Sequence, residues 1–247
     1  MADELQDQGE GTDDQARLPE PGSDRLLTDA VSNLRGRLRS EEARDPSSEW
    51  DLREKGFRRV LQWAKDEGCY YEHLRFEEVG GKEHDLTLDA SSRSYLKFTR
   101  PNLAGFSFAY DPDERCFELN TSDPIAYLER LALHTEVFGI DMSFVGVSGP
   151  DYRHRLITRQ CNIPGRHATH EEILNMMLNY LGFEYLPGFA WGYKESASFI
   201  REDVVALDLR PLNVRVTEGG LPIVVDVICA RLDDEELNAF RAFVGLT

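Results

Sequence analysis

The sequence predicts an α+β fold, an antiparallel sheet interleaved with a few strong helices, behind a disordered acidic tail. Three observations carry this. The runs LTLDA (86–90), SYLKFT (94–99), FSFAYD (106–111) and CFELN (116–120) are short and divided by Gly, Pro, Asn and Asp turns, which is how strands of an antiparallel sheet read. A helix is marked over 124–138, where Asp123 offers a cap, Pro124 takes the first helical position, and Ile125, Leu128, Leu131, Ala132 and Phe138 recur at helical spacing up to Gly139. Residues 1–50 hold 13 acidic and 6 basic residues and a single aromatic, Trp50, too little apolar surface to offset chain entropy. Disorder is therefore expected over 1–47.

Order is expected from Ser47 and Ser48, which offer caps to a helix carrying Phe57, Val60, Leu61 and Ala64 on one stripe before Gly68. Within the tail, Leu26, Leu27, Val31, Leu34 and Leu38 fall near helical spacing, with Arg35, Arg37 and Arg39 at the end. A transient helix with no partner is the expectation there, a docking helix the alternative. MSFVGV (142–147) and HRLITRQ (154–160) read as strands, and the capping box from Thr169 to Glu172 opens a helix with Ile173, Leu174, Met177, Leu178 and Leu181 on one face before Gly182. VVALDL (204–209), VRVT (214–217) and PIVVDVI (222–228) return to strands, the last two joined by a hairpin turn at Glu218, Gly219 and Gly220. The acids from Asp233 to Glu236 begin a final helix, where negative charge suits the helix dipole.

The chain has 247 residues, 28 Lys and Arg against 45 Asp and Glu, and a formal net charge of −17. Such a surface repels a phosphodiester backbone, so nucleic acid is not expected as a partner. No apolar run is long enough to span a bilayer, and the opening MADELQDQGE lacks the basic start and apolar stretch of a signal peptide. A cytoplasmic protein with no membrane partner is expected. Cys69, Cys116, Cys161 and Cys229 are scattered singly, which points away from structural zinc and from a disulfide framework. His167 and His170 form an HxxH pair with no third ligand at a definable spacing, and flank a helix start instead.

The chemistry lies in ALDLRPLNVRVTEGGLPIVVDVI (206–228). Asp208 and Asn213 bracket a proline-containing loop, and Asp226 ends an apolar run. A carboxylate buried beside Ile223, Val224 and Val225 needs a cation or donors to offset its desolvation. A magnesium ion held by the Asn213 amide oxygen and the Asp226 carboxylate is one answer, with phosphate oxygens and water completing its shell; backbone donors or a basic side chain are the other. With the metal, Asp208 is free to orient a hydroxyl.

This stretch resembles the catalytic loop and metal-binding strand of protein kinases and their small-molecule relatives: DLRPLN is similar to the family's D-L-K-P-x-N, and Asp226 follows a hairpin of the usual length. More narrowly, GGKEH (80–84), YLKFTRPN (95–102), YLERLALHTEVFG (127–139), ITRQ (157–160), THEEI (169–173), LGFEYLP (181–187) and DLRPLNV (208–214) resemble a compact kinase-like domain of bacterial and phage polyvalent proteins. The resemblance implies a two-lobed kinase-like domain over 48–247, with an antiparallel N-lobe to about residue 160 and a reduced C-lobe beyond. It implies ATP and magnesium as cofactors and phosphoryl transfer to an unidentified acceptor. In that scheme Asp208 is the catalytic base, Asn213 and Asp226 hold the metal, and Lys97 reaches the phosphates. Glu129, in preference to Glu136, pairs with Lys97; Gly80 and Gly81 stand at the phosphate loop, without the G-x-G-x-x-G spacing; Gln160 stands at the adenine hinge. Ala206 and Leu207 replace the usual His-Arg, Val227 and Ile228 replace Phe-Gly, and only 21 residues follow Asp226. The short stretch after Asp226 argues against peptide phosphorylation in the usual cradle, and the departures admit an alternative, a catalytically silent pseudokinase serving as a nucleotide-binding interaction or regulatory module.

Overall fold

The computed structural model describes residues 24–38, 49–72, 74, 81–150 and 153–246, which form a mixed α+β arrangement of helices and mostly antiparallel sheets. Strand β1 (Arg25–Leu26) runs directly into α1 (Leu27–Leu38), followed by α2 (Glu49–Asp66) and β2 (Tyr70–Tyr71). The next six elements are β3 (His84–Asp89), β4 (Ser94–Thr99), β5 (Phe106–Asp111), β6 (Cys116–Thr121), α3 (Pro124–Phe138) and β7 (Met142–Ser148), then β8 (Arg155–Cys161). The strands expected over 94–99 and 106–111 stand at those bounds, and α3 starts and stops on the expected signals: Asp123 accepts hydrogen bonds from the Ile125 and Ala126 N–H groups, and Gly139 closes the helix at φ 69°.

Six strands make one sheet in the order β1-β7-β8-β4-β3, with β2 lying parallel to β7 and the other pairs antiparallel. Its central strands are buried on both faces, so their charged residues must be neutralised in place. They are: Asp85 binds Arg155 at 2.6 Å and Arg100 at 2.7 Å, and Arg159 binds Asp89 at 2.6 Å. The β5–β6 hairpin forms a separate two-stranded sheet.

The second half contributes β9 (Arg166–His167), α4 (His170–Asn175), β10 (Glu184–Tyr185), β11 (Ala197–Arg201), β12 (Val204–Leu209), β13 (Val214–Val216), β14 (Pro222–Val224), β15 (Ile228–Arg231) and α5 (Asp234–Val244). Both bonds of the Thr169–Glu172 capping box are present. One sheet runs β10-β11-β12-β15 and another β14-β13-β9. The apolar run PIVVDVI, expected as one strand, is two: β14 pairs with β13, β15 pairs with β12, and Asp226 sits in the break between the two sheets. Hydrophobicity alone could not show that break, because both pieces bury equally well.

The expected disorder over 1–47 does not hold for residues 24–38. Leu27, Ala30 and Leu34 of α1 are buried in one core with Trp63 of α2, Leu128 and Leu131 of α3, and Phe144 of β7. Polar contacts fix the same segment: Asp24 accepts from Arg159 at 2.6 Å and from Ser143 at 2.8 Å, and Arg35 pairs with Glu129 at 2.5 Å. The three apolar positions span two helical turns on one face, enough for docking once α3 supplies a surface; composition averaged over the tail hides this.

Leu34→Ala should therefore destabilise the protein by about 2 to 5 kcal/mol, the usual cost of a fully buried leucine. For a domain of this size that lowers the melting temperature by roughly 5 to 15 °C. Unchanged melting of Leu34→Ala by circular dichroism would mean that α1 is undocked in solution.

Candidate functional site

A cavity of about 530 Å³ lies between the β3–β4–β8 face of the first sheet and the chain from Asp208 to Ile228. It is lined by Gly81, Lys97, Gln160, Asp208, Asn213 and Asp226. Residues that are up to 145 positions apart in sequence, from Gly81 to Asp226, are thus brought together. Gly80 lies outside the described residues. A Cβ at Gly81 would meet open space, so glycine is not a steric requirement there; its carbonyl accepts a hydrogen bond from Arg100 at 2.5 Å.

Lys97 stands on the central strand β4, between Leu86 of β3 and Thr158 of β8, and is 7% exposed. Its Nζ lies 3.8 Å from Asp226 Oδ2, an ion pair too long for a direct hydrogen bond. Desolvation pushes the Asp226 carboxyl upward in pKa, but the Lys97 ammonium, followed by His84, Arg130 and His134, outweighs that and holds it below the usual carboxylate range.

Glu129 does not pair with Lys97. It faces α1 and binds Arg35, while Glu136 binds Arg231 at 2.7 Å. The residue that α3 turns inward is Arg130, 4% exposed, which binds Glu83 at 2.5 Å and donates to the Phe106 carbonyl at 2.8 Å. Adjacent helical residues point about 100° apart, so Glu129 cannot share the inward direction with Arg130. Next to this pair, His84 Nε2 lies 2.7 Å from the Tyr127 hydroxyl.

Asn213 joins Asp208 to the segment that carries Asp226. Its Nδ2 donates to the Asp208 carbonyl at 2.8 Å and to Asp208 Oδ2 at 3.1 Å, and its own carbonyl accepts the Val225 N–H at 2.8 Å. Gln160 Nε2 donates to the Val225 carbonyl at 2.7 Å, so β8 also grips the Asp226 segment. Strand alternation explains why Gln160 faces the cavity while Arg159 points away to Asp24 and Asp89.

Asp208 adopts φ 60°, a left-handed conformation rare outside glycine. Its Oδ1 accepts the Tyr193 N–H at 3.0 Å and the Ser196 hydroxyl at 2.5 Å. Gly192, at φ 108°, passes so close that a Cβ there would collide with the Asp208 carboxylate. The Tyr193 ring carries two cations: Arg210 Cζ lies 3.8 Å and Lys82 Nζ 4.7 Å from its centroid. Sequence reasoning missed Gly192, Tyr193 and Ser196. Their one signal is a glycine between two aromatics, Trp191 and Tyr193; Trp191 packs on Phe108 at 5.1 Å between ring centroids and anchors the segment.

Among the described residues, no three His, Cys, Asp or Glu side chains converge as a metal site. Asn213 and Asp226 offer two oxygen donors, and a hard cation there would draw its remaining ligands from a phosphate and from water. Comparison with protein-family models, with characterised proteins and with solved structures gives no match to this chain. Among the described residues no helix is long and apolar enough to cross a membrane.

His134 of α3 is 1% exposed, neither ring nitrogen has a hydrogen-bond partner among the described residues, and burial lowers its pKa to about 3. A group that takes up a proton more readily when unfolded stabilises the fold fully above its unfolded pKa, near 6.5, and progressively less from there down to its folded value. Stability should accordingly fall by roughly 2 kcal/mol between pH 7 and pH 5 on account of His134. Urea unfolding at the two pH values should show this fall, and His134→Leu should reduce it; an equal fall in the variant would show that the ring is not held neutral.

Proposed function

We propose that the chain is a kinase-like phosphotransferase, a two-lobed domain that transfers the terminal phosphoryl group of ATP, with magnesium, to an unidentified acceptor. The observation that carries this reading is the single cavity lined by Lys97, Asp208, Asn213 and Asp226. Leu86, Tyr95, Ile163 and Leu212 add apolar surface to its lining, of the kind a flat base packs on. Lys97 meets the phosphates, Asp226 and Asn213 hold the cation, and Asp208 aligns the acceptor hydroxyl. When bound, magnesium neutralises phosphate charge that the Lys97 ammonium alone cannot offset. Asp208 Oδ1 is taken by Tyr193 and Ser196, so the acceptor hydroxyl would meet Oδ2, which among the described residues accepts only from Asn213.

One observation favours a second reading, a silent nucleotide-binding module. Asp208 already takes hydrogen bonds from Tyr193, Ser196 and Asn213, and Lys97 already has Asp226 as its counter-ion. A carboxylate so engaged serves to hold the loop as well as it would serve catalysis.

Thermal-shift titration with a non-hydrolysable ATP analogue, with and without magnesium, tests both. Binding should raise the melting temperature, Asp226→Asn should remove the magnesium-dependent part, and Lys97→Ala should weaken binding by about tenfold through loss of a charge-assisted contact. Asp208→Ala should keep nucleotide affinity and lose turnover. No stabilisation of the wild type by nucleotide overturns the proposal, and binding without any ADP release or acceptor labelling replaces the enzyme by the module.

A further inference from the structure

Two cations share one aromatic ring at the cavity. Arg210 and Lys82 come from distant parts of the chain, and both lie over Tyr193. Bringing two positive charges to one ring costs repulsion that cation–π attraction offsets only in part. Asp208 relieves it on the Arg210 side alone, as an ion pair. Asp208, the nearest acid to Arg210, lies 3.6 Å from its Nε, beyond hydrogen-bond distance, and spends its oxygens on Tyr193, Ser196 and Asn213.

The other acids of the cavity are also committed. Glu83 is held by Arg130 and Asp226 faces Lys97. Arg210 Nε is buried and has no hydrogen-bond partner among the described residues, although a buried guanidinium N–H is costly to leave unsatisfied. Lys82 is exposed and belongs to no ion pair among the described residues. Arg215 adds a further positive charge to the lining. In a protein of net charge −17, Lys82, Arg210 and Arg215 beside one cavity, with only Arg210 in an ion pair among the described residues, are a local concentration of positive charge.

We infer that Lys82, Tyr193 and Arg210 form an oxyanion site that takes the phosphate group of a small phosphomonoester, and that this molecule is the acceptor in the reaction proposed above. A phosphomonoester near pH 7 carries close to two negative charges, which matches two cations; a planar guanidinium presents paired donors to such a group, and a lysine adds a point charge. The Tyr193 ring keeps both cations in place before the ligand arrives, and its backbone N–H binds Asp208. The anchored anion therefore lies beside the carboxylate that aligns the hydroxyl. The acceptor role rests on the phosphotransferase reading; the oxyanion site does not.

The test is calorimetric titration of the full chain with glycerol 3-phosphate, alone and with the non-hydrolysable ATP analogue and magnesium at saturation, with glycerol and acetate as controls. Glycerol 3-phosphate should bind in both conditions, with glycerol and acetate at least tenfold weaker, because they lack the dianion. Lys82→Gln, Arg210→Gln and Tyr193→Leu should each weaken binding by about tenfold, and Arg210→Lys by less, since it keeps the charge but not the fork. Lys82 is exposed, so its variant reports on the site without risk to the fold. No binding, or binding unchanged in the Lys82 and Arg210 variants, overturns the site. Binding abolished by the nucleotide analogue overturns the acceptor role, because the cations would then serve the nucleotide. Failure of the analogue itself to bind defeats the phosphotransferase reading and the acceptor role together, while variant-sensitive glycerol 3-phosphate binding would still establish the oxyanion site.

Discussion

The Asn213 peptide unit and side chain hold the candidate site together. Its amide donates twice to Asp208, through carbonyl and carboxylate, while its carbonyl accepts from the segment that carries Asp226. These bonds add to the β12–β15 ladder, which already sets Leu207 opposite Ile228, and tie the loop after β12 to the break between β14 and β15. Buried polar groups must find partners, and here they find one another across the site. The left-handed backbone at Asp208 is sustained by the same bonds, since a strained conformation persists only where its surroundings over-determine it.

Charge placement is the second organising feature. A chain with this excess of acid loses stability to self-repulsion, yet its buried charges are arranged almost residue by residue against opposite partners: Asp85 with Arg155 and Arg100, Asp89 and Asp24 with Arg159, Glu83 with Arg130. Removing one member would strand the other in a low-dielectric interior. The pairs thereby dictate register. Arg130 in particular fixes how α3 lies against the turn that precedes β3, and so where the cavity wall stands.

The segment that precedes the expected domain is part of this arrangement. Asp24 completes the neutralisation of Arg159, and α1 covers a face of α3 that would otherwise expose Leu128 and Leu131. The same α3 surface takes Glu129 into an ion pair with Arg35, away from the site. One docking event thus explains both the order of residues 24–38 and the different partner of Glu129.

The sequence by itself determined the local elements: the capped helix from Pro124 to Phe138, the strands at 94–99, 106–111 and 204–209, the hairpin at 218–220 and the capping box at Thr169. Each follows from signals within a few residues, caps, glycines and periodicity, which act over the same short range. The motif DLRPLN and the isolated Asp226 were legible for the same reason, as polar residues set among apolar ones. Only the tertiary structure decided that Lys97 faces Asp226, that Arg130 rather than Glu129 points inward, that α1 docks, and that Tyr193 and Ser196 close on Asp208. Those outcomes depend on which faces of distant elements meet and which buried charges find a partner, and a helix or strand pattern carries no record of either.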